Sequence, residues 1–202
     1  METEKKPYSY FPSEFSEKYS IVEWRHALAI LKGEFEEQFD DLCSVLAEFE
    51  LRESSITTGG GGKSKVSGFL DGRLYGLGWE EKAFDTAIVI DGVTHETPTH
   101  KVDCVKGRIA LDIEWNNKTE FYDRDLNNFR LLHALDAVSV GIIVTRDTEL
   151  QDGVFKPLGI GGKYGASTTH LNKLIPKIEG GGAGGCPILV VAVKSGAFVA
   201  GK

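Results

Sequence analysis

At 202 residues, 41% hydrophobic and 26% charged, the chain has the composition of a single globular domain over 1–202, long enough to bury a core without disulfides or metals holding it together. Cys43, Cys104 and Cys186 are odd in number and widely spaced, which argues against a disulfide framework or a CxxC metal knuckle and points to a reducing, cytoplasmic compartment. No run approaches ~18 apolar residues, and no apolar run follows Met1 to Lys6, so neither a membrane span nor a signal peptide is expected; the net charge of −7 argues against a uniformly basic nucleic-acid binder but leaves room for a local basic cleft.

In chain order, the first 50 residues read as helical. A short helix is predicted from Ile21 to Lys32, with Gly33 near the break. A longer one follows, with Phe35, Phe39, Leu42, Leu46 and Phe49 at three- and four-residue steps and Glu36, Glu37, Asp40 and Asp41 opposite them. Glycine is over-used, 24 in all, with eight between Gly59 and Gly78 and twelve between Gly153 and Gly201. Neither cluster has a fixed period, so both read as loops, either carrying function or simply flexible. Strand pattern starts near Phe84: Thr86 to Ile90 ends on Asp91-Gly92, a hairpin signal. Val102 to Val105 and Arg108 to Trp115 are two further strands around Gly107. A helix from Tyr122 to Ala137, a strand from Val138 to Thr145, a helix from Ser167 to Ile178 with Pro176 near its end, and a strand from Pro187 to Val193 complete the chain. Helices, a three-stranded meander, then helix, strand, helix, strand define an α/β class with a mixed sheet flanked by helices.

Several motifs fail on context. Gly62-Lys63-Ser64 suggests a phosphate loop, but Thr57 stands where that pattern needs its first glycine, and no strand leads in. Gly180, Gly182 and Gly185 match G-x-G-x-x-G, yet a strand follows rather than precedes them. His95-Glu96 and His100 are one residue too far apart for H-E-x-x-H, and Pro98 would break the helix. His26, His95, His100 and His133 read as ordinary surface or core histidines.

The informative segment runs from His100 to Trp115. Asp112 and Glu114 are two apart on a strand and share one face, while Leu111, Ile113 and Trp115 point into a core. With Gly107-Arg108 as a two-residue type II′ turn, position 103 falls opposite 112, so Asp103, Asp112 and Glu114 converge on one side of a hairpin. Three such carboxylates repel one another unless a cation lies between them. An all-oxygen set without His or Cys suits Mg²⁺ first and Mn²⁺ second. The alternative is a solvated polar strand face on an edge hairpin.

This run, Val102-Asp103 through Asp112-Ile113-Glu114-Trp115, resembles the active-site hairpin of type II restriction endonucleases of the BglII/BstYI group, in the PD-(D/E)xK nuclease superfamily. The likeness extends more loosely from about Thr57 through Trp79 to Val193. Asp103, Asp112 and Glu114 occupy the family's three acidic or polar positions. Asp112 stands where Glu is usual, and Glu114 where Lys or Gln is usual, a departure similar to the BamHI-type arrangement. The resemblance implies an αβββαβ core and Mg²⁺ (or Mn²⁺) held by Asp103, Asp112 and the Ile113 carbonyl. It also implies a water oriented or deprotonated by Glu114, and a homodimer cutting both strands of a short palindromic duplex DNA. Alternatives are a repair or junction nuclease on the same fold, or an inactive DNA-binding module.

Candidate DNA contacts are Lys63 and Lys65 beside the Gly59–Gly62 loop, Lys106 near the turn, and Asn116, Asn117 and Lys118 after the acidic strand. Lys163, Ser167, Thr168, Thr169, His170 and Lys173 in the second glycine-rich region complete the set. Asn suits adenine, Lys suits guanine, and Ser or Thr at a helix start suits phosphate; helix capping by Ser167 or Thr168 is the competing reading. Acidic excess lies mainly in Glu34 to Glu53 and at the N-terminus, away from this proposed cleft.

Overall fold

The computed structural model describes residues 7–58, 62–96 and 99–201. The Met1 to Lys6 lead, the Gly59 to Gly61 part of the glycine loop and Pro98 lie outside them. One turn of helix, α1 (Phe15–Lys18), leads into strand β1 (Tyr19–Trp24), which corrects the predicted helix from Ile21. Tyr19 and Ile21 are buried in alternation, and β1 pairs antiparallel with the last core strand from Tyr19↔Val193 to Trp24↔Ile188. Arg25 and His26 then take positive φ, 57° and 60°, a conformation no right-handed helix contains, so α2 begins only at Ala27 and runs to Glu34.

Helix α3 (Glu36–Glu48) forms as its periodicity predicts and buries Phe39, Leu42, Val45 and Leu46. Strand β2 (Leu51–Arg52) and helix α4 (Glu53–Thr57) follow. Helix α5 (Lys65–Gly76) is a second correction, because it lies in the glycine-rich stretch read as loop. Ser64 caps it, its Oγ accepting from Ser67 N at 2.9 Å, and Val66, Leu70 and Leu74 bury one stripe. A cap and a stripe outweigh the ~1 kcal/mol that each helical glycine costs.

After β3 (Glu80–Lys82) come β4 (Ala87–Ile90) and β5 (Val93–Glu96), with Asp91 and Gly92 both at positive φ as a two-residue hairpin turn requires. The predicted meander is corrected here. β4 pairs only with β5, in a separate and wholly exposed two-stranded ribbon, and the short β3 takes its expected place in the main sheet. His95 and Glu96 therefore sit on a strand, not on a metal-binding helix.

Then follow β6 (Val102–Lys106), β7 (Ile109–Glu114), α6 (Glu120–Ala134), β8 (Val140–Arg146), α7 (Leu171–Glu179), β9 (Ile188–Val193) and β10 (Phe198–Val199), the last paired with β2. α7 starts four residues later than predicted. Residues 167–169 leave a turn at Gly165 and are held against the chain after β7: Thr119 N donates to Ser167 O (3.3 Å), Thr169 N to Asn117 O (2.9 Å), and Lys118 bridges Thr168.

The six-stranded sheet has the order β1-β9-β8-β7-β6-β3, parallel across β9, β8 and β7 and antiparallel at both edges. Strands β7, β8 and β9 are buried on both faces, as central parallel strands are, and apolar throughout but for Asp112 and Glu114 on β7 and Thr145 and Arg146 at the end of β8. Leu111, Ile113, Val144 and Val191 pack with α2, α3 and α5 on one side; Ala110, Ile143 and Val190 pack with α6 and α7 on the other. No helix among the described residues is long and apolar enough to cross a membrane.

Candidate active site

The β6–β7 hairpin has the predicted register: Lys106↔Ile109, Val105↔Ala110 and Cys104↔Leu111. Gly107, at φ 59°, is the only turn residue with positive φ, as a type II′ turn needs. Beyond Cys104↔Leu111, side chains bridge the strands. Asp103 N donates to Asp112 Oδ1 at 3.0 Å, and Ile113 N donates to Asp103 Oδ2 at 2.9 Å. The strands fork, with the two aspartates filling the gap.

Asp112 and Glu114 are only 1% and 2% exposed, so they are not a solvated strand face. Both lie on the α6 side, opposite the core positions Leu111, Ile113 and Trp115. Helix α6 adds a fourth carboxylate, Asp125, 1% exposed, which the sequence reading missed. Tyr122, Leu126 and Phe129 mark the buried face of α6, and a charge three residues after Tyr122 on that face was the available signal. Arg124 braces the group: its Nε and Nη2 donate to Asp125 Oδ1 at 2.8 and 2.7 Å, and Nη2 lies 3.4 Å from Glu114 Oε1. Asn117 Nδ2 donates to Glu114 Oε2 at 2.7 Å.

One arginine beside so many acids leaves negative charge unbalanced. Burial, then the charges of Asp125 and Asp103, push the Asp112 carboxyl well above the usual carboxylate range. Burial and then Asp125 push Glu114 up to about 9. Asp125 is also raised, by burial first, with Arg124 opposing. In the metal-free protein the cluster therefore holds protons at neutral pH.

On the other side of β6, Asp71 of α5 is buried and its Oδ1 accepts from Cys104 Sγ at 3.6 Å. It forms an ion pair with Lys63 and adds to the negative potential at Asp103. Tyr75, also on α5, donates to the Asp103 carbonyl at 2.9 Å. Asp71 was hidden because its helix was read as loop.

Among the described residues, no three His, Cys, Asp or Glu side chains stand in a metal-binding arrangement. The smaller set expected from the sequence fits a hard cation better. Asp112 Oδ2 is a buried carboxylate oxygen with no hydrogen-bond partner, and Asp103 uses its Oδ2 on the backbone, leaving Oδ1 outside that bond. With the Ile113 carbonyl the donors are all oxygen.

The predicted DNA contacts divide into three groups, with Lys106 apart from all of them. Lys63, Lys65, Asn116, Asn117 and Lys163 line one cleft of about 330 Å³ beside Trp115, just past the end of β7. Lys163 Nζ is tied there to the carbonyls of Ile56 (2.9 Å) and Thr58 (2.6 Å), and Lys65 Nζ to Ser54 O (3.3 Å) and Thr58 Oγ1 (3.1 Å). His170 and Lys173 line a second cleft, and Ser167, Thr168 and Thr169, with Lys118, belong to the strip described above. Neither Ser167 nor Thr168 caps α7. His170 occupies the cap position without a side-chain cap bond, and Thr168 Oγ1 accepts from Arg146 Nη2 at 2.9 Å. Lys106 joins neither cleft: it pairs with Glu37 at 2.7 Å and Asp41 at 2.8 Å, fastening α3 to the sheet, and Arg108 pairs with Asp136.

A mixed α/β sheet with buried carboxylates on a forked hairpin is consistent with a restriction-endonuclease-like fold, a class of nuclease. The family model described as Restriction endonuclease BglII/BglIII matches residues 19–193, and the chain belongs to that family. No curated protein matches the chain. Family membership makes it a hydrolase, an endonuclease acting on DNA within a restriction system.

Proposed function

We propose that the chain is a type II restriction endonuclease, a single nuclease unit over 1–202 that hydrolyses both strands of a short palindromic duplex in a Mg²⁺-dependent reaction. The observation that carries this reading is the unpartnered, buried Asp112 Oδ2 beside Asp103 on the forked hairpin of a family member. Asp103, Asp112 and the Ile113 carbonyl would hold the cation, with Mn²⁺ as substitute. When bound, such an ion stabilises charge on a phosphoryl oxygen and lowers the pKa of water.

The protein's own groups do the remaining work. Glu114, oriented by Asn117 and Arg124, accepts the proton of the attacking water. In the free protein Glu114 holds a proton at neutral pH, and positive charge at the site would lower its proton affinity and free the carboxylate to act as a base. Lys63, paired to Asp71 at the cleft, supplies positive charge for the phosphate. Asn116 and Asn117 follow directly on the acidic strand and line the cleft, where they would meet base edges. In-line attack leaves 5′-phosphate and 3′-hydroxyl ends. One carboxylate cluster per chain serves one strand, so cutting both strands calls for a homodimer.

Asp103→Asn and Asp112→Asn are expected to abolish plasmid cleavage in Mg²⁺ while leaving duplex binding in place. Retained cleavage by both variants would remove the proposed site. Discrete bands from a mixed-sequence plasmid support site-specific cutting, whereas a smear points to a nuclease without sequence choice. Saturable Mn²⁺ binding by calorimetry, lost in Asp112→Asn, separates an enzyme from an inactive DNA-binding module.

A further inference from the structure

Away from the carboxylates, one buried charge has no counter-charge. Arg146 ends β8 and is 1% exposed. Its guanidinium carbon lies 5.6 Å from the Phe155 ring centroid and 5.8 Å from that of Tyr164. Nη2 donates to Thr168 Oγ1 at 2.9 Å and reaches Tyr164 O at 3.4 Å, both neutral acceptors. Nε is buried with no hydrogen-bond partner, and no Asp or Glu pairs with the group among the described residues. Burial pulls its pKa down to about 10, so it remains charged at neutral pH. A cation taken out of water without a counter-charge is costly to the fold. A fold that retains one has a use for the charge.

Arg146 lines a cleft of about 470 Å³ together with Thr148, Gln151, Lys156, His170 and Lys173, and no carboxylate lines it. Lys173 has no ion-pair partner among the described residues, and Lys156 meets only the exposed Asp152, at 2.5 Å, in a pair of the kind that contributes little. His170 is pushed toward neutrality by burial and then by the charges of Arg146 and Lys173, which outweigh the opposing charge of Asp147. The nine-residue helix α7 begins at Leu171 on the same cleft, its cap position lacking a side-chain acceptor. The wall opposite is built on a π-type turn, Gln151–Phe155, a geometry found often at functional sites.

We propose that this cleft is a phosphate-binding site, with Arg146 as its buried receptor and Lys173 at its mouth. In the working protein it takes a backbone phosphate of the duplex outside the step that is cut. Guanidinium presents a planar fork of donors matched to phosphate oxygens. Tyr164 is a common wall of this cleft and of the one beside Trp115, so a single bound duplex spans both. The choice of duplex DNA as the source of the phosphate rests on the endonuclease reading; the anion site itself does not.

The test uses the whole protein without divalent cation, as wild type, Arg146→Met, Lys173→Gln and Asp103→Asn. Thermal unfolding is followed in inorganic phosphate against chloride at matched ionic strength, and duplex affinity is followed across a salt series. Inorganic phosphate is expected to raise the wild-type midpoint, Arg146→Met to lose that gain, and Lys173→Gln to reduce it. Arg146→Met should also flatten the slope of log affinity against log salt by about 0.9, and Asp103→Asn should retain both effects. Without phosphate, Arg146→Met should be at least as stable as wild type, because it removes an uncompensated buried charge. A phosphate gain that survives in both Arg146→Met and Lys173→Gln overturns the site, as does a destabilised Arg146→Met with an unchanged salt slope. Loss of the phosphate gain with an unchanged slope overturns the duplex as source. A wild type that binds no duplex, yet gains stability through Arg146, counts against the endonuclease reading and for the anion site.

Discussion

Asp112, Glu114 and Asp125 are buried acids whose proton affinity is raised, and this ties stability to pH in an unusual direction for carboxylates. Between the ordinary carboxylate range and about 9, folded metal-free protein holds a proton on Glu114 that the unfolded chain has released. The unfolded state then binds fewer protons, so stability falls as pH rises through that window and levels off above it. Chemical denaturation of the metal-free protein from pH 5 to 9 should show this decline. Glu114→Gln should flatten it and raise stability at pH 8, and Mn²⁺ should reduce it in wild type but not in Asp112→Asn. At this scale the sequence was informative where strand parity governs: residues two apart share a face, which placed Asp112 with Glu114. It said less about Asp125 and Asp71: the period of α6 sets Asp125 on the buried face, but which site a helix residue joins is decided by tertiary packing, and the helix that carries Asp71 was read as loop.

Among the elements, α3, the β6–β7 hairpin, α6, β8 and β9 were legible because each combines a clear period with a clear stop. β1 was not, since Tyr19–Trp24 runs straight into α2 and only the paired positive φ at Arg25 and His26 separates them. α5 was concealed by glycine, which lowers helix propensity without forbidding a capped helix. Gly141 of β8 shows the reverse case, a glycine the packing demands. A Cβ there would stand 2.4 Å from Phe129 Cδ2 and 2.9 Å from Ile188 Cδ1. Gly141→Ala is therefore expected to destabilise by about 1–3 kcal/mol or more through overpacking between α6 and the sheet, measurable as a lowered denaturation midpoint. Ser64→Ala, by removing the α5 cap, should cost about 1 kcal/mol and loosen the segment that carries Lys63 and Asp71.

Across the whole molecule, charge is segregated rather than balanced. The acidic α3 draws in Lys106, while Lys63, Lys65 and Lys163 gather at one cleft and Arg146 with Lys173 at the other. Net charge of −7 is thus compatible with duplex binding, and affinity is expected to fall steeply with added salt. The β4–β5 ribbon stands outside both apolar clusters, with Ile88, Val89, Ile90 and Val93 more than half exposed. Replacing Ile88, Val89 and Ile90 together by Thr should leave the thermal midpoint unchanged, which differential scanning calorimetry can check. The ribbon also shows why a correct hairpin signal misled about topology: Asp91-Gly92 specifies a local turn but does not dictate which sheet its strands join.

The fork between Asp103 and Asp112 has a practical consequence for anyone dissecting the chemistry. Asp103 also serves as a splint, because its Oδ2 holds the Ile113 amide where the ladder has parted. An amide side chain can still accept that bond, so Asn removes charge and spares the scaffold. Alanine would orphan the amide and fray the strand end, and inactivity measured that way would confound architecture with catalysis.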